Sequence, residues 1–243
     1  EVGIVVNQST NPRFGLTPQD MHILEHVRRY GMTTQEVVHR LFYPTATLEA
    51  AKSRLRRLRE KGWLSTADLS ARTPDLRAKR SYYHLTPQAL ERVFAHPAKY
   101  GKAQGPQALF EAYGILLFCC MAPVPRDRFM RSEFEQAYPD LVRPGLPARL
   151  YYRDIEDEKE RVGYIYVHRS AHSRRVVRKC REVVAKRFRI PAWARRINDQ
   201  GMVIAIVTSA PQSAKQIAEA IRREQWHQIR FRIEVWQDLL ELI

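Results

Sequence analysis

Between residues 17 and 62, helix-opening threonines alternate with helix-ending glycine and proline, and this punctuation confines the segment to three short helices. Thr17-Pro18-Gln19-Asp20 is a helix start, with a capping threonine and a proline in the first turn. Met21, Leu24, Val27 and Tyr30 then recur at helical spacing, and Gly31 ends the run. Thr34 opens a second helix with Val37, Val38, Leu41 and Phe42 on one face, and Pro44 stops it. Thr45 or Thr47 caps a third, in which Leu48, Ala51, Leu55 and Leu58 face a core before Gly62. Trp63-Leu64-Ser65-Thr66 and Ser81–Leu85 read as the strands of a hairpin, and Thr86-Pro87-Gln88-Ala89 begins a fourth helix. Three helices followed by a two-stranded hairpin is the order of a winged helix-turn-helix. Residues 16–95 are assigned to it and residues 1–15 to an N-terminal arm.

Residues 96–106 (HPAKYGKAQGP) are rich in Pro, Gly and Lys and read as a linker. Beyond it, residues 107–243 alternate strands with helices, which predicts one sheet covered by helices. Residues 107–121 form an apolar helix. Strands are expected at 148–155 and 162–168, around an acidic turn from Glu156 to Glu160. A long helix at 171–188 turns Val176, Val177, Cys180, Val183, Val184 and Phe188 inward. Strand 201–208, helix 211–224, strand 229–236 and a short terminal helix complete the pattern. The expected class is therefore α+β or α/β, a winged helix followed by an α/β domain.

Charge narrows the function. The 243-residue chain carries 41 Lys and Arg against 26 Asp and Glu, a formal net charge of +15, and its pI is near 10.1. Such a balance is the footprint of a nucleic-acid binder, although basic proteins also meet membranes and acidic partners. Its location decides. Between Thr47 and Lys61 lie six basic residues and two acids. With the leucine stripe buried, Glu49, Lys52, Ser53, Arg56 and Arg57 point outward. Lys and Arg neutralise phosphates, and a bidentate Arg reads a guanine edge. Thr47, Lys52, Ser53, Arg56 and Arg57 are therefore the candidate groove contacts of a recognition helix at 47–61. The loop 72–80, with Arg72, Arg77, Lys79 and Arg80, is a basic wing suited to the phosphate backbone. From Arg169 to Arg196 there are eleven basic residues and one acid. Arg174, Arg178, Lys179, Arg181 and Lys186 form a candidate second basic surface, for DNA or for an acidic partner.

Other chemistries find little footing. Cys119, Cys120 and Cys180 make neither a disulfide framework nor a CxxC zinc site, and their apolar surroundings point to buried reduced thiols in a cytoplasmic, nucleoid-associated protein. The longest apolar run, 112–125, is too short to span a bilayer, and no signal peptide is read. No Walker loop, GxSxG or GxGxxG occurs. His22 and His26 stand one turn apart but read as a solvent face shared with Glu25 and Arg29. His168 and His172 are not a His-hydrophobe-His pair, and Tyr151 and Tyr152 lie in a strand. Asp154, Glu156, Asp157, Glu158 and Glu160 read as a solvated hairpin tip. No catalytic residue, metal site or cofactor is assigned.

The runs Leu16-Thr17-Pro18-Gln19-Asp20, Thr33-Thr34-Gln35-Glu36-Val37, Ala51-Lys52-Ser53-Arg54-Leu55-Arg56-Arg57-Leu58-Arg59-Glu60-Lys61-Gly62-Trp63-Leu64 and Tyr82-Tyr83-His84-Leu85-Thr86-Pro87-Gln88-Ala89 resemble the replication-relaxation family of bacterial plasmids and integrative elements. That resemblance implies a winged helix joined to a domain resembling the PD-(D/E)xK restriction-endonuclease fold. In that fold an acid follows a proline at one strand start, and two acids in the next strand hold a metal that activates water. Here the corresponding places carry Pro147-Ala148, Tyr166 and His168, and an alignment on Pro139-Asp140 still leaves the second strand without acids. The resemblance thus implies a degenerate, non-catalytic nuclease-like domain. The expectation is a transcriptional regulator of a mobile element, binding double-stranded DNA as a homodimer without membrane association. The alternatives are a plasmid replication or transfer accessory protein that binds an origin, a metal-dependent endonuclease using Asp140, Asp154 or Glu156, or a structural scaffold that holds a partner through basic helix 171–188 with the winged helix as a protein-docking module.

Overall fold

The computed structural model describes residues 14–69, 80–96, 104–147, 150–156, 159–169, 173–224, 226 and 228–242. The protein is a mixed α+β molecule with a two-stranded sheet and a four-stranded mixed sheet. It divides into two compact units, the first built from residues up to Asp68 and from Lys79–Ala103, the second containing Gln104–Ile243.

In the first unit, α1 (Pro18–Tyr30) starts at a capping box in which the Thr17 side chain accepts from Asp20 N–H and the Asp20 carboxylate accepts from Thr17 N–H. It stops at Gly31, whose φ of 77° lies in the left-handed region that a side chain would disfavour. α2 (Gln35–Phe42) is capped by Thr34, and α3 (Leu48–Glu60) follows after a turn. β1 (Leu64–Asp68) and β2 (Ser81–Leu85) pair antiparallel from Leu64↔Leu85 to Asp68↔Ser81. Thr33, between α1 and α2, bridges to Tyr83 through two backbone hydrogen bonds of 2.9 and 2.8 Å. α4 (Pro87–Phe94) is capped by Thr86, whose hydroxyl also donates to the Gly62 carbonyl at 2.6 Å. Ile23, Leu24, Val27, Val38, Ala51, Leu55, Leu58, Trp63 and Leu85 meet in one core.

In the second unit, α5 (Pro106–Cys120) is apolar almost all round and buried accordingly. α6 (Arg131–Ala137) leads to a short 3-10 turn at Pro139–Leu141. β3 (Tyr151–Glu156) pairs antiparallel with β4 (Lys159–Val167), while β5 (Met202–Thr208) and β6 (Arg230–Val235) continue the sheet in parallel. The order is β3-β4-β5-β6. α7 (Ser173–Phe188) and α8 (Pro191–Asn198) connect β4 to β5, and α9 (Pro211–Arg222) connects β5 to β6. Strand alternation sorts the side chains into two faces. Tyr151, Tyr164, Met202, Ile204 and Ile206 join Phe134, Val176, Val183, Trp193 and Ile217 in a core beneath α6 to α9. On the opposite face Tyr152 crosses Gly163, and its ring meets Phe118 of α5 edge-on at 5.0 Å.

Two elements differ from the pattern read in the sequence. α6 and α8 carry too few apolar positions to announce a helix, with Phe134 the buried residue of one and Trp193 and Ile197 of the other. β3 also starts later than expected, at Tyr151, and reaches Glu156, while β4 starts earlier, at Lys159, so their junction narrows to residues 157–158, which lie outside the described residues. Among the described residues no helix is long and apolar enough to cross a membrane.

Candidate nucleic-acid interface

The buried stripe of α3 is Ala51, Leu55 and Leu58, and Leu48 is only half-buried because it sits in the first turn. Glu49, Ser53, Arg56, Arg57, Arg59 and Glu60 are exposed, and Lys52 is half-buried. Thr47 is the N-cap, extended and exposed, but its side chain makes no capping hydrogen bond. The turn before it is held by His39 Nε2 against the Ala46 carbonyl at 2.9 Å. Thr47, Lys52, Ser53, Arg56 and Arg57 thus all belong to α3 or its cap, and of these Lys52 alone is appreciably covered.

The basic residues of α3 divide by role. Arg54 Nε lies 2.5 Å from Asp20 Oδ1, and its guanidinium also donates to Thr17 Oγ1. Asp20 is 2% exposed. One arginine of the helix therefore ties α3 to the start of α1, a duty that counting cations does not reveal. Lys61, just past the helix, donates to the Gly15 carbonyl at 2.9 Å. Arg56 faces Glu60 at 3.9 Å and Lys52 faces Glu49 at 3.2 Å, both weak exposed pairs that a stronger anion would displace. Among the described residues no ion pair holds Arg57 or Arg59.

Two tyrosines extend the surface, and the sequence reading passed over both. Tyr43 closes α2, and burial pushes its phenol up, with Arg54 acting in the opposite sense. Tyr83 lies on β2, and burial pushes it up too, opposed by Arg59. Both phenols are half-exposed and protonated at neutral pH, so each is a hydrogen-bond donor near the cations of α3. Arg72, Arg77 and Lys79 of the expected wing lie outside the described residues, and Arg80 is half-buried beside β2.

His26 corrects an expectation. It is buried rather than on a solvent face, its Nε2 3.0 Å from Thr33 Oγ1 and its ring beside Tyr30 and Phe42. Desolvation, helped by Arg29, lowers its pKa to about 3.

On α7, Arg174, Arg178, Arg181 and Lys186 are exposed and Lys179 is half-buried. Arg181 is held by both oxygens of Glu224 at 2.5 Å, and Glu182 sits 3.9 Å from Arg178 and 4.0 Å from Lys179. The inward stripe ends differently from the expectation. Phe188 is 48% exposed, and Arg187, at 1%, takes the inward place. Eleven residues make three helical turns, so 187 repeats the position of Val176. Arg187 donates to Tyr151 OH and the Val183 carbonyl, and its guanidinium lies 4.6 Å from the Tyr164 ring centroid and 5.4 Å from that of Trp193. This arginine belongs to the core and not to a binding surface.

The acids near the hairpin also divide. Asp154 is buried, not part of a solvated tip. Its β4 neighbour is Arg161, and Arg232 reaches it from β6 at 3.3 Å. That reach crosses the side of the sheet where β4 and β5 present Gly163, Val203 and Ala205, small enough to let an arginine lie over them. Glu156 is exposed and faces Arg230 at 3.2 Å and Arg161 at 3.4 Å. Burial, and then the Asp154 charge, pushes the Tyr152 phenol far up. Asp140 is exposed in the 3-10 turn. Tyr166 is half-buried on β4 and His168 is buried just beyond it. Among the described residues no three His, Cys, Asp or Glu side chains group as metal ligands would. Cys119, Cys120 and Cys180 are buried free thiols, and burial pushes Cys180 up to about 12. Comparison with known proteins finds no matching family model, no matching curated protein and no matching solved structure.

Proposed function

We propose that the protein is a sequence-specific double-stranded DNA-binding protein whose residues 16–95 form a winged helix, with α3 as recognition helix and residues 72–80 as its wing. The observation that carries this reading is the exposed face of α3, where Ser53, Arg56 and Arg57 stand free of the core while Arg54 braces the helix from behind. The Thr33–Tyr83 bridge supports it, because it adds a third short strand position to β1 and β2 between the first two helices. A recognition helix needs a rigid mount and an outward row of donors, and both are in place here. Thr47, Lys52, Tyr43 and Tyr83 serve as backbone contacts around that row.

With the resemblance to the replication-relaxation family, the protein acts as a transcriptional regulator of a mobile element. It binds a partly palindromic site as a homodimer, and its second unit is a nuclease-like fold without catalysis. Pairing of Asp154 with Arg232 supports the non-catalytic reading, since a carboxylate already neutralised by an arginine is a poor metal ligand.

Selection of bound duplexes from a random library by the full chain at physiological salt tests the proposal. A partly palindromic motif is expected to emerge. Arg56→Ala should weaken the selected site by ~1–3 kcal/mol and relax preference at one base pair. Arg77→Ala and Lys79→Ala should weaken all sequences alike. If no motif emerges, or if Ser53→Ala and Arg56→Ala both leave the motif unchanged, α3 is not the reading helix.

A further inference from the structure

The four-stranded sheet ends in two unlike edges. Outside β3 the chain covers itself, with Phe129 N–H donating to the Tyr151 carbonyl at 3.0 Å and Arg153 N–H to the Asp127 carbonyl at 2.8 Å. β6 is the last strand on the other side, and among the described residues no backbone hydrogen bond reaches its outer edge. Arg230 is exposed and Phe231–Val235 are half-buried, whereas the neighbouring β5 is buried at every position. An open edge is a template for another strand unless proline, a bulge or repelling charge blunts it. β6 has no proline, its register with β5 runs unbroken, and its inward-reaching charges are of both signs.

The backbone decides which groups this edge offers. Trp236 N–H donates to the Thr208 carbonyl of β5 at 2.8 Å. Backbone groups alternate sides along an extended strand, so residues 230, 232 and 234 also turn toward β5. Phe231, Ile233 and Val235 then turn N–H and C=O outward. Side chains alternate as well. Arg232 and Glu234 lie on the α5 side of the sheet, Arg232 reaching Asp154 at 3.3 Å and Glu234 reaching Arg126 at 2.5 Å. Phe231 and Ile233 pack toward the core beneath α6 to α9.

A second copy that meets this edge about a two-fold axis runs antiparallel, with outward backbone groups opposite outward ones. Centred on Arg232 or on Glu234, such a pairing opposes like charges. Centred on Phe231, it sets Arg230 against Arg232. Centred on Ile233, it sets Arg232 of each copy against Glu234 of the other, at the closely spaced positions where cross-strand pairs interact most strongly. In that register Ile233 faces Ile233 and Phe231 faces Val235, and these outward residues exchange the backbone hydrogen bonds.

The geometry points to a homodimer joined edge to edge through β6, antiparallel and centred on Ile233, with one sheet continuous through both copies. It gives the homodimer of the DNA-binding reading its interface and rests on that reading for its role at a palindromic site, while the pairing itself lies wholly in the second unit.

Sedimentation equilibrium of the full chain should show a dimer. Ile233→Cys sets two thiols on the axis with Cα atoms about 5.5 Å apart, within disulfide reach, so mild oxidation should link the copies. Cys119, Cys120 and Cys180 are buried, so the parent chain should stay unlinked. Ile155→Cys, exposed on β3, should stay unlinked too. Ile233→Pro removes an outward N–H and no bond to β5, and should weaken dimerisation by ~tenfold or more. Amide exchange of the parent chain guards against misfolding of that variant. The amides of Phe231, Ile233 and Val235 should exchange slowly and quicken on dilution. A monomer at every concentration, a dimer that Ile233→Pro leaves intact, or linkage of Ile233→Cys no faster than that of Ile155→Cys overturns the proposal. The DNA-binding reading fails separately, because absence of a selected motif leaves the cross-link in place. Loss of the palindrome by Ile233→Pro, with half-site binding retained, supports both.

Discussion

Removing the Arg54 guanidinium would leave the Asp20 carboxylate, 2% exposed, without its cation. Breaking a buried pair from one side costs several kcal/mol, so Arg54→Ala is expected to lower the unfolding free energy by about 3 kcal/mol in urea. Arg56→Ala, on the exposed face, should shift it by less than about 0.5 kcal/mol. Equal losses in the two variants would refute the division of roles along α3. His26 supplies a pH signature. Its folded-state pKa is about 3, below the ordinary value of 6.5, so the unfolded chain binds its proton first. The stability it contributes is complete above pH 6.5 and falls away as pH drops toward 3, by about 1.4 kcal/mol per pH unit in that window. His26→Leu should flatten urea-measured stability between pH 6 and pH 4.5, and a slope unchanged from the parent chain would show that other groups govern it. At this scale the sequence conveys apolar positions well and polar ones poorly. Arg54, His26, Asp154 and Arg187 all look like surface residues until their partners, distant in the chain, are known.

Close approach of elements sets the second scale. A Cβ at position 163 would fall within the van der Waals envelope of the Tyr152 ring, which lies across the strand and is held by Phe118 from above. Both rings are fully buried, so Gly163→Ala is expected to cost roughly 2–3 kcal/mol and lower the melting temperature. A variant as stable as the parent would mean that β3 and β4 part more readily than their register implies. Most elements were legible beforehand, because capped helices and apolar strands carry their own local signals. Thr17, Thr34 and Thr86 announce helices, and Met202–Thr208, buried at every position, announces an inner strand. α6 and α8 were not legible. Two helical turns leave room for one or two apolar residues, too few to establish a period.

For the whole molecule the formal net charge of +15 governs encounter with other polymers. Affinity for a random duplex should fall steeply with salt, by ~10³-fold between 50 and 200 mM if about six phosphates are contacted. Binding that hardly responds to salt would remove DNA from the account. The sign of this charge was plain in the sequence, but its distribution between support and surface was not. Strand order and register, which bring Arg232 over to Asp154, are set by partners that no local pattern encodes. The bracing of α3 by Arg54 and Lys61 has a last consequence, for divergence. Positions 49, 53, 56 and 57 are exposed and owe nothing to the core, so each can be exchanged without dismantling its mount. On the proposed reading of α3, target preference among descendants of one ancestor drifts quickly at these positions while 20 and 54 stay locked together.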